Sequence, residues 1–142
     1  MIKAEDLRIG DLVIVNENCS LEQGTIGKVS EVRSTPLYKE NEGSIGLKPI
    51  SNDRWPWGVL CRNIDPIPLT PEILEKNGFN MREDTVVYAK NRLGLKPLGD
   101  GKGYQVGLGS LRFLFVKVRV IKYVHELQHI LWALGLDANL KI

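Results

Sequence analysis

The sequence predicts an α+β fold: an N-terminal SH3-like small β-barrel half, a short capped helix, and a C-terminal antiparallel sheet with a terminal amphipathic helix. Three features point there. β-branched runs divided by turn residues fill the chain up to residue 66, a helix with a signal at each end spans Leu69 to Phe79, and an apolar stripe of helical period runs from Val124 to Leu134.

Leu7-Arg8-Ile9-Gly10-Asp11 reads as a polar turn, because Gly-Asp punctuates and Leu12-Val13-Ile14-Val15 follows at once as a strand. Further short strands are expected in Thr25 to Arg33, around Ile45 and Leu47, and in Trp57 to Cys61. Asn16-Glu17-Asn18, Ser34-Thr35-Pro36, Asn41-Glu42-Gly43 and Ser51-Asn52-Asp53 separate them, at the spacing of a small barrel or curled sheet. Residues 1–66 are therefore read as an SH3-like β subdomain and 67–142 as an α+β subdomain.

The helix after Leu69 carries its own boundaries. Thr70 is a suitable N-cap, Pro71 takes the first helical position where its missing N–H removes nothing, and Glu72 faces the positive end of the dipole. Gly78 supplies the left-handed stop, and Leu69 and Phe79 can both close on Leu74. Thr85 to Ala89 and Tyr104 to Leu108 then read as strands flanking a glycine-rich loop, Gly94 to Gly103. Leu111 to Lys122 reads as a longer strand with Leu114, Val116, Val118 and Val120 on one face. In the last helix, ended by Gly135, the stripe of Val124, Leu127, Ile130, Leu131 and Leu134 faces the sheet, which leaves His125, Gln128, His129 and Trp132 pointing outward.

A chain of 142 residues fits one domain or two very small ones, and 43% hydrophobic with 25% charged residues is an ordinary globular composition. The net charge of +2 does not mark a nucleic-acid binder by itself. No stretch reaches the roughly 18 uncharged apolar residues of a membrane span, so a cytoplasmic protein with no membrane partner is expected. Cys19 and Cys61 stand far apart without a CxxC, which favours reduced thiols and excludes a cysteine zinc cluster.

His125-Glu126-Leu127-Gln128-His129 is a complete HExxH. In zinc hydrolases two histidines four apart on a helix reach one metal while the intervening Glu activates its water. That reading makes His125 and His129 zinc ligands and Glu126 the base. A third protein ligand is also required, and downstream only Asp137 is available. The alternative is a pair of surface histidines beside Trp132, a large aromatic whose outward position suggests either a self-association or partner interface, or a cover for the neighbouring β half.

Two further groups invite a nucleotide or nucleic-acid reading. Arg54-Trp55-Pro56-Trp57 sets a guanidinium beside two indoles, which can stack a base while the Arg meets a phosphate; Trp57 at a strand start equally reads as core. The stretch from Lys90 through Arg92 to Lys102 and Gly103 concentrates basic residues and glycines, although it lacks the Walker spacing and also reads as a hairpin tip. No Ser/His/Asp or Cys/His arrangement is arguable, since both histidines lie on the last helix.

At three points, Leu7-Arg8-Ile9-Gly10-Asp11-Leu12-Val13, Ile64-Asp65-Pro66-Ile67-Pro68-Leu69-Thr70 with the helix to Phe79, and Ile121-Lys122-Tyr123-Val124-His125 through Leu134, the chain resembles a group of small uncharacterised proteins common in gut bacteria and their phages. The resemblance spans nearly the whole chain and implies no activity. It implies Gln at the position of Glu126 and Asn at that of His129, which sets this HExxH apart as drift. The expected function is a non-enzymatic binding or interaction protein, a homo-oligomer of phage-accessory type that binds or sequesters a nucleotide, nucleic acid or host protein. A zinc-dependent hydrolase is the alternative.

Overall fold

The computed structural model describes residues 2–16, 21–33, 43–51, 56–109 and 119–142. The chain is α+β and divides into two compact units, Met1–Ile67 and Pro68–Ile142, each with its own five-stranded antiparallel sheet.

In the first unit β1 (Leu12–Val15), β2 (Ile26–Arg33), β3 (Ser44–Pro49) and β4 (Trp57–Leu60) form a meander. A 3-10 turn, Cys61–Asn63, then feeds β5 (Ile64–Pro66), which returns to pair with β1 through Val13↔Pro66 and Val15↔Ile64. Alternation fixes the register: Val13, Val15, Val29, Ile45, Leu47, Val59 and Ile64 are all buried in one core with Ile2 and Leu7. A register shift between Val29 and Glu31 marks a bulge that bends β2. The order β4-β3-β2-β1-β5 is SH3-like in connectivity, but the sheet is open, with β4 and β5 as its edges, and the expected closure into a barrel is corrected accordingly. Those edge strands are four and three residues long, which leaves few backbone groups to pair across a seam.

The second unit opens with α1 (Pro71–Lys76), whose local signals act as the sequence implies. Thr70 Oγ1 accepts the Ile73 N–H at 3.4 Å. The Glu72 carboxyl is held below its usual pKa, chiefly because its own backbone N–H donates to it and secondarily through the Thr70 hydroxyl. At the other end the Phe79 N–H reaches Leu74 O and the Gly78 N–H reaches Glu75 O, both at 3.0 Å, with Gly78 at φ +81°; this is a Schellman stop.

The sheet of this unit runs β6 (Asn80–Arg82), β7 (Val87–Lys90), β8 (Leu93–Pro97), β9 (Tyr104–Leu108) and β10 (Val120–Ile121) in simple succession. Two expectations change here. Leu93–Pro97 is a strand, so the supposed single loop from Lys90 to Gly103 is two turns at opposite ends of β8; Leu93 and Leu95 are fully buried, and that burial outweighs the weak strand preference of Gly94 and Pro97. Of the predicted strand Leu111 to Lys122, Val120 and Ile121 pair with Gln105 and Tyr104, the Val106 N–H donates to Arg119 O at 3.3 Å, and residues 111–118 lie outside the described residues.

Helix α2 (Val124–Ala133) ends in a second Schellman stop: the Leu136 N–H donates to Leu131 O at 2.8 Å and the Gly135 N–H to Trp132 O at 3.0 Å, with Gly135 at φ +68°. The starts of the two helices are tied together, because the Leu69 N–H donates to Lys122 O at 2.8 Å and Pro68 bridges Tyr123. The tail after α2 turns back. Gln128 Nε2 donates to Ala138 O at 3.1 Å, and the Asn77 amide meets the backbone of Lys141.

That return corrects the orientation expected for α2. His125 and Gln128 are buried, at 6% and 4% exposure, together with Val124, Leu127 and Leu131, whereas Leu134 of the apolar stripe is 42% exposed. A helical wheel assumes one packing partner. Here the tail covers the Gln128 side, and the Tyr123 ring stacks on His125 with centroids 5.9 Å apart and planes 10° from parallel. Among the described residues no helix is long and apolar enough to cross a membrane.

Candidate functional site

Within the HExxH, Glu126 caps its own helix. Glu126 sits at the third position of α2, and its Oε2 accepts the backbone N–H of Lys122 at 2.7 Å and of Tyr123 at 3.1 Å. Its other oxygen lies 3.5 Å from the Arg119 guanidinium. This is the carboxylate half of a capping box, and it occupies the oxygen that a metallohydrolase would turn toward water. The His125 and His129 rings meet edge to face at 5.8 Å, as residues four apart on a helix do. Among the described residues no third His, Cys, Asp or Glu joins them in a group able to hold a metal.

Within the second unit the basic residues Lys90, Arg92 and Lys102 do not form one cluster. Lys90 is drawn inward: its Nζ donates to Asn77 O at 2.8 Å and lies 5.7 Å from the Phe79 ring centroid, sealing the end of α1. Arg92 stands exposed in the turn before β8, and Lys102 in the turn after it, at the other end of a five-residue strand. At about 3.3 Å per residue those turns are roughly 15 Å apart. Trp57 opens β4 in the other unit and is 40% exposed, while Arg54 and Trp55 lie outside the described residues.

Around the end of α2 the picture differs. Trp132 is 68% exposed and Leu134 42%. Between Leu131 and Leu136 no residue carries a formal charge, nor does any other residue from Leu127 onward to that point. Beside this end lies a pocket of about 780 Å³, lined by the Asn91-Arg92 turn, Leu93, Leu108, Leu134 and Leu136. The β8–β9 ladder pairs Leu93 with Leu108, and the Gly109 N–H donates to Arg92 O at 2.9 Å, which fixes one wall. The Gly135 stop supplies the other by bringing Leu134 and Leu136 to the same opening. Apart from Arg92, no local pattern marks this pocket, since its residues come from three separated segments.

A second buried group lies on the same sheet. Tyr88 and Tyr104 pack edge to face at 6.2 Å and 76°. Burial pushes both hydroxyls above the usual tyrosine range, with Glu75 and then Glu72 adding to Tyr88, and Tyr88 and then Glu72 adding to Tyr104.

These features define an α+β chain with an uncharged, aromatic-bearing helix face and an adjoining apolar pocket. Comparison with protein-family models, with curated proteins and with solved structures returned no match.

Proposed function

We propose that this chain is a non-enzymatic binding protein that acts through the outer face of α2, with Trp132 at the centre of the contact and a second copy of the chain as the partner. The observation that carries this reading is Trp132, a large aromatic left 68% exposed. Such side chains are enriched at the centres of interfaces. Self-pairing is favoured by charge: a two-fold contact sets like against like, and a helix face without charged residues from Leu127 to Leu136 meets its own copy without repulsion. The resemblance to small gut-bacterial and phage proteins supports an accessory role, in which the dimer sequesters a host protein. A nucleotide or nucleic acid is less well supported, because Arg92 and Lys102 stand at opposite ends of β8. The zinc hydrolase reading lacks a base, since Glu126 is committed to the cap.

Sedimentation velocity over a wide concentration range tests the proposal. The wild-type chain is expected as a dimer, and Trp132→Glu as a monomer with an unchanged far-UV spectrum. A wild-type chain that sediments as a monomer throughout overturns it.

A further inference from the structure

We infer that the pocket beside α2 is a binding site for a small amphiphilic anion, a monocarboxylate with an aliphatic body. Its volume of about 780 Å³ lies within the range of small-ligand sites, roughly 300–1,000 Å³. Leu93 is fully buried and forms the floor, and Leu108, Leu134 and Leu136 form apolar walls. Among the described residues the only charged one lining it is Arg92.

Arg92 decides the chemistry of the head group. Among the described residues no carboxylate pairs with its guanidinium, and its backbone oxygen is already taken by the Gly109 N–H at 2.9 Å. A planar guanidinium at the rim of an apolar pocket matches a carboxylate through two parallel hydrogen bonds. The Asn91 amide beside it offers a further donor. Four leucines take a saturated chain, and among the described lining residues there is no aromatic ring to stack a nucleobase. The charge at one edge and the leucines behind it give the site a polarity: head at the β7–β8 turn, chain toward the end of α2.

Leu134 and Leu136 belong to the stretch proposed to meet a second copy, but Trp132 does not line the pocket, so Trp132→Glu separates this inference from that contact. Amide chemical-shift titration of the full chain with decanoate, and separately with 1-decanol, tests it. Decanoate is expected to shift the amides of Arg92, Leu93, Leu108, Gly109, Leu134 and Leu136. Arg92→Gln should weaken decanoate at least fivefold and leave the weaker binding of decanol unchanged, Leu134→Glu should remove both, and Trp132→Glu should remove neither. The inference is overturned if decanoate shifts no pocket amide, if decanol binds as tightly as decanoate, or if only a peptide with a C-terminal leucine binds there.

Discussion

The side-chain amide of Asn77 pairs with the backbone of Lys141 as one strand pairs with another: Asn77 Nδ2 donates to Lys141 O at 2.8 Å, and the Lys141 N–H donates to Asn77 Oδ1 at 2.7 Å. The same Nδ2 also reaches Ile73 O at 2.7 Å, inside α1. One residue thus closes a helix end and holds a tail 64 positions away.

Asn77→Ala removes all three bonds and is expected to destabilise the second unit by about 2 kcal/mol. Asn77→Asp should be no better, since it loses both donors and sets a negative charge at the negative end of α1. Hydrogen exchange at Leu140 and Lys141 checks this. Wild-type protection in either variant would show that the tail is held by other means.

Glu126 separates capping from catalysis. Glu126→Ala leaves the Lys122 and Tyr123 N–H groups without their acceptor, at a cost of about 1–2 kcal/mol. Gln fills the same capping role, so Glu126→Gln should lose less than about 1 kcal/mol. Urea denaturation followed by far-UV signal measures both; equal losses would mean that the carboxylate's charge, through Arg119, matters more than its acceptor geometry.

Alkaline titration reads the buried tyrosine pair. An unfolded tyrosine ionises near pH ~10, and burial holds Tyr88 and Tyr104 protonated above that. Their contribution is complete below pH about 10 and is lost as the pH rises through their folded values. Tyr88→Phe and Tyr104→Phe should each move the alkaline unfolding midpoint to higher pH, and tyrosinate absorbance should show a late phase that each variant diminishes. A single early phase for all four tyrosines of the chain would exclude the effect.

Val86 is a β-branched residue held at φ +51° with its side chain 57% exposed. It closes the β6–β7 turn, where its N–H donates to Arg82 O at 2.8 Å. The left-handed region disfavours Val, and the exposed methyls gain little from packing. Val86→Asn is expected to raise stability by about 1 kcal/mol, read as a higher thermal midpoint. A lower midpoint would show that the valine side chain makes up for the strain.

How much of this was legible in the sequence depends on the range of the determinant. Helix α1 was readable in full because Thr70, Pro71 and Gly78 act on neighbours within one turn. The exposure of Trp132 followed from helical period alone. Strand β6 was not visible, since Asn80, Met81 and Arg82 are all exposed and owe their conformation to pairing with β7. Strand β8 was hidden by Gly94 and Pro97, whose loop-like character yields to the burial of Leu93 and Leu95. The burial of His125 and Gln128 needed knowledge of where residues 137–142 return, and nothing in Asp137-Ala138-Asn139 announces that. The candidate pocket was out of reach for the same reason: Arg92, Leu108 and Leu134 meet only once the sheet and the Gly135 stop are built.

The returning tail touches α2 at Gln128 and α1 at Asn77, while Leu69 and Lys122 already join the two helices at their starts. A closed mechanical loop results, in which neither helix can be released without straining the other. Exchange of amides in α1 and α2 should therefore rise in step as denaturant is added, as one opening event with one free energy, even though 47 residues of chain separate Lys76 from Val124.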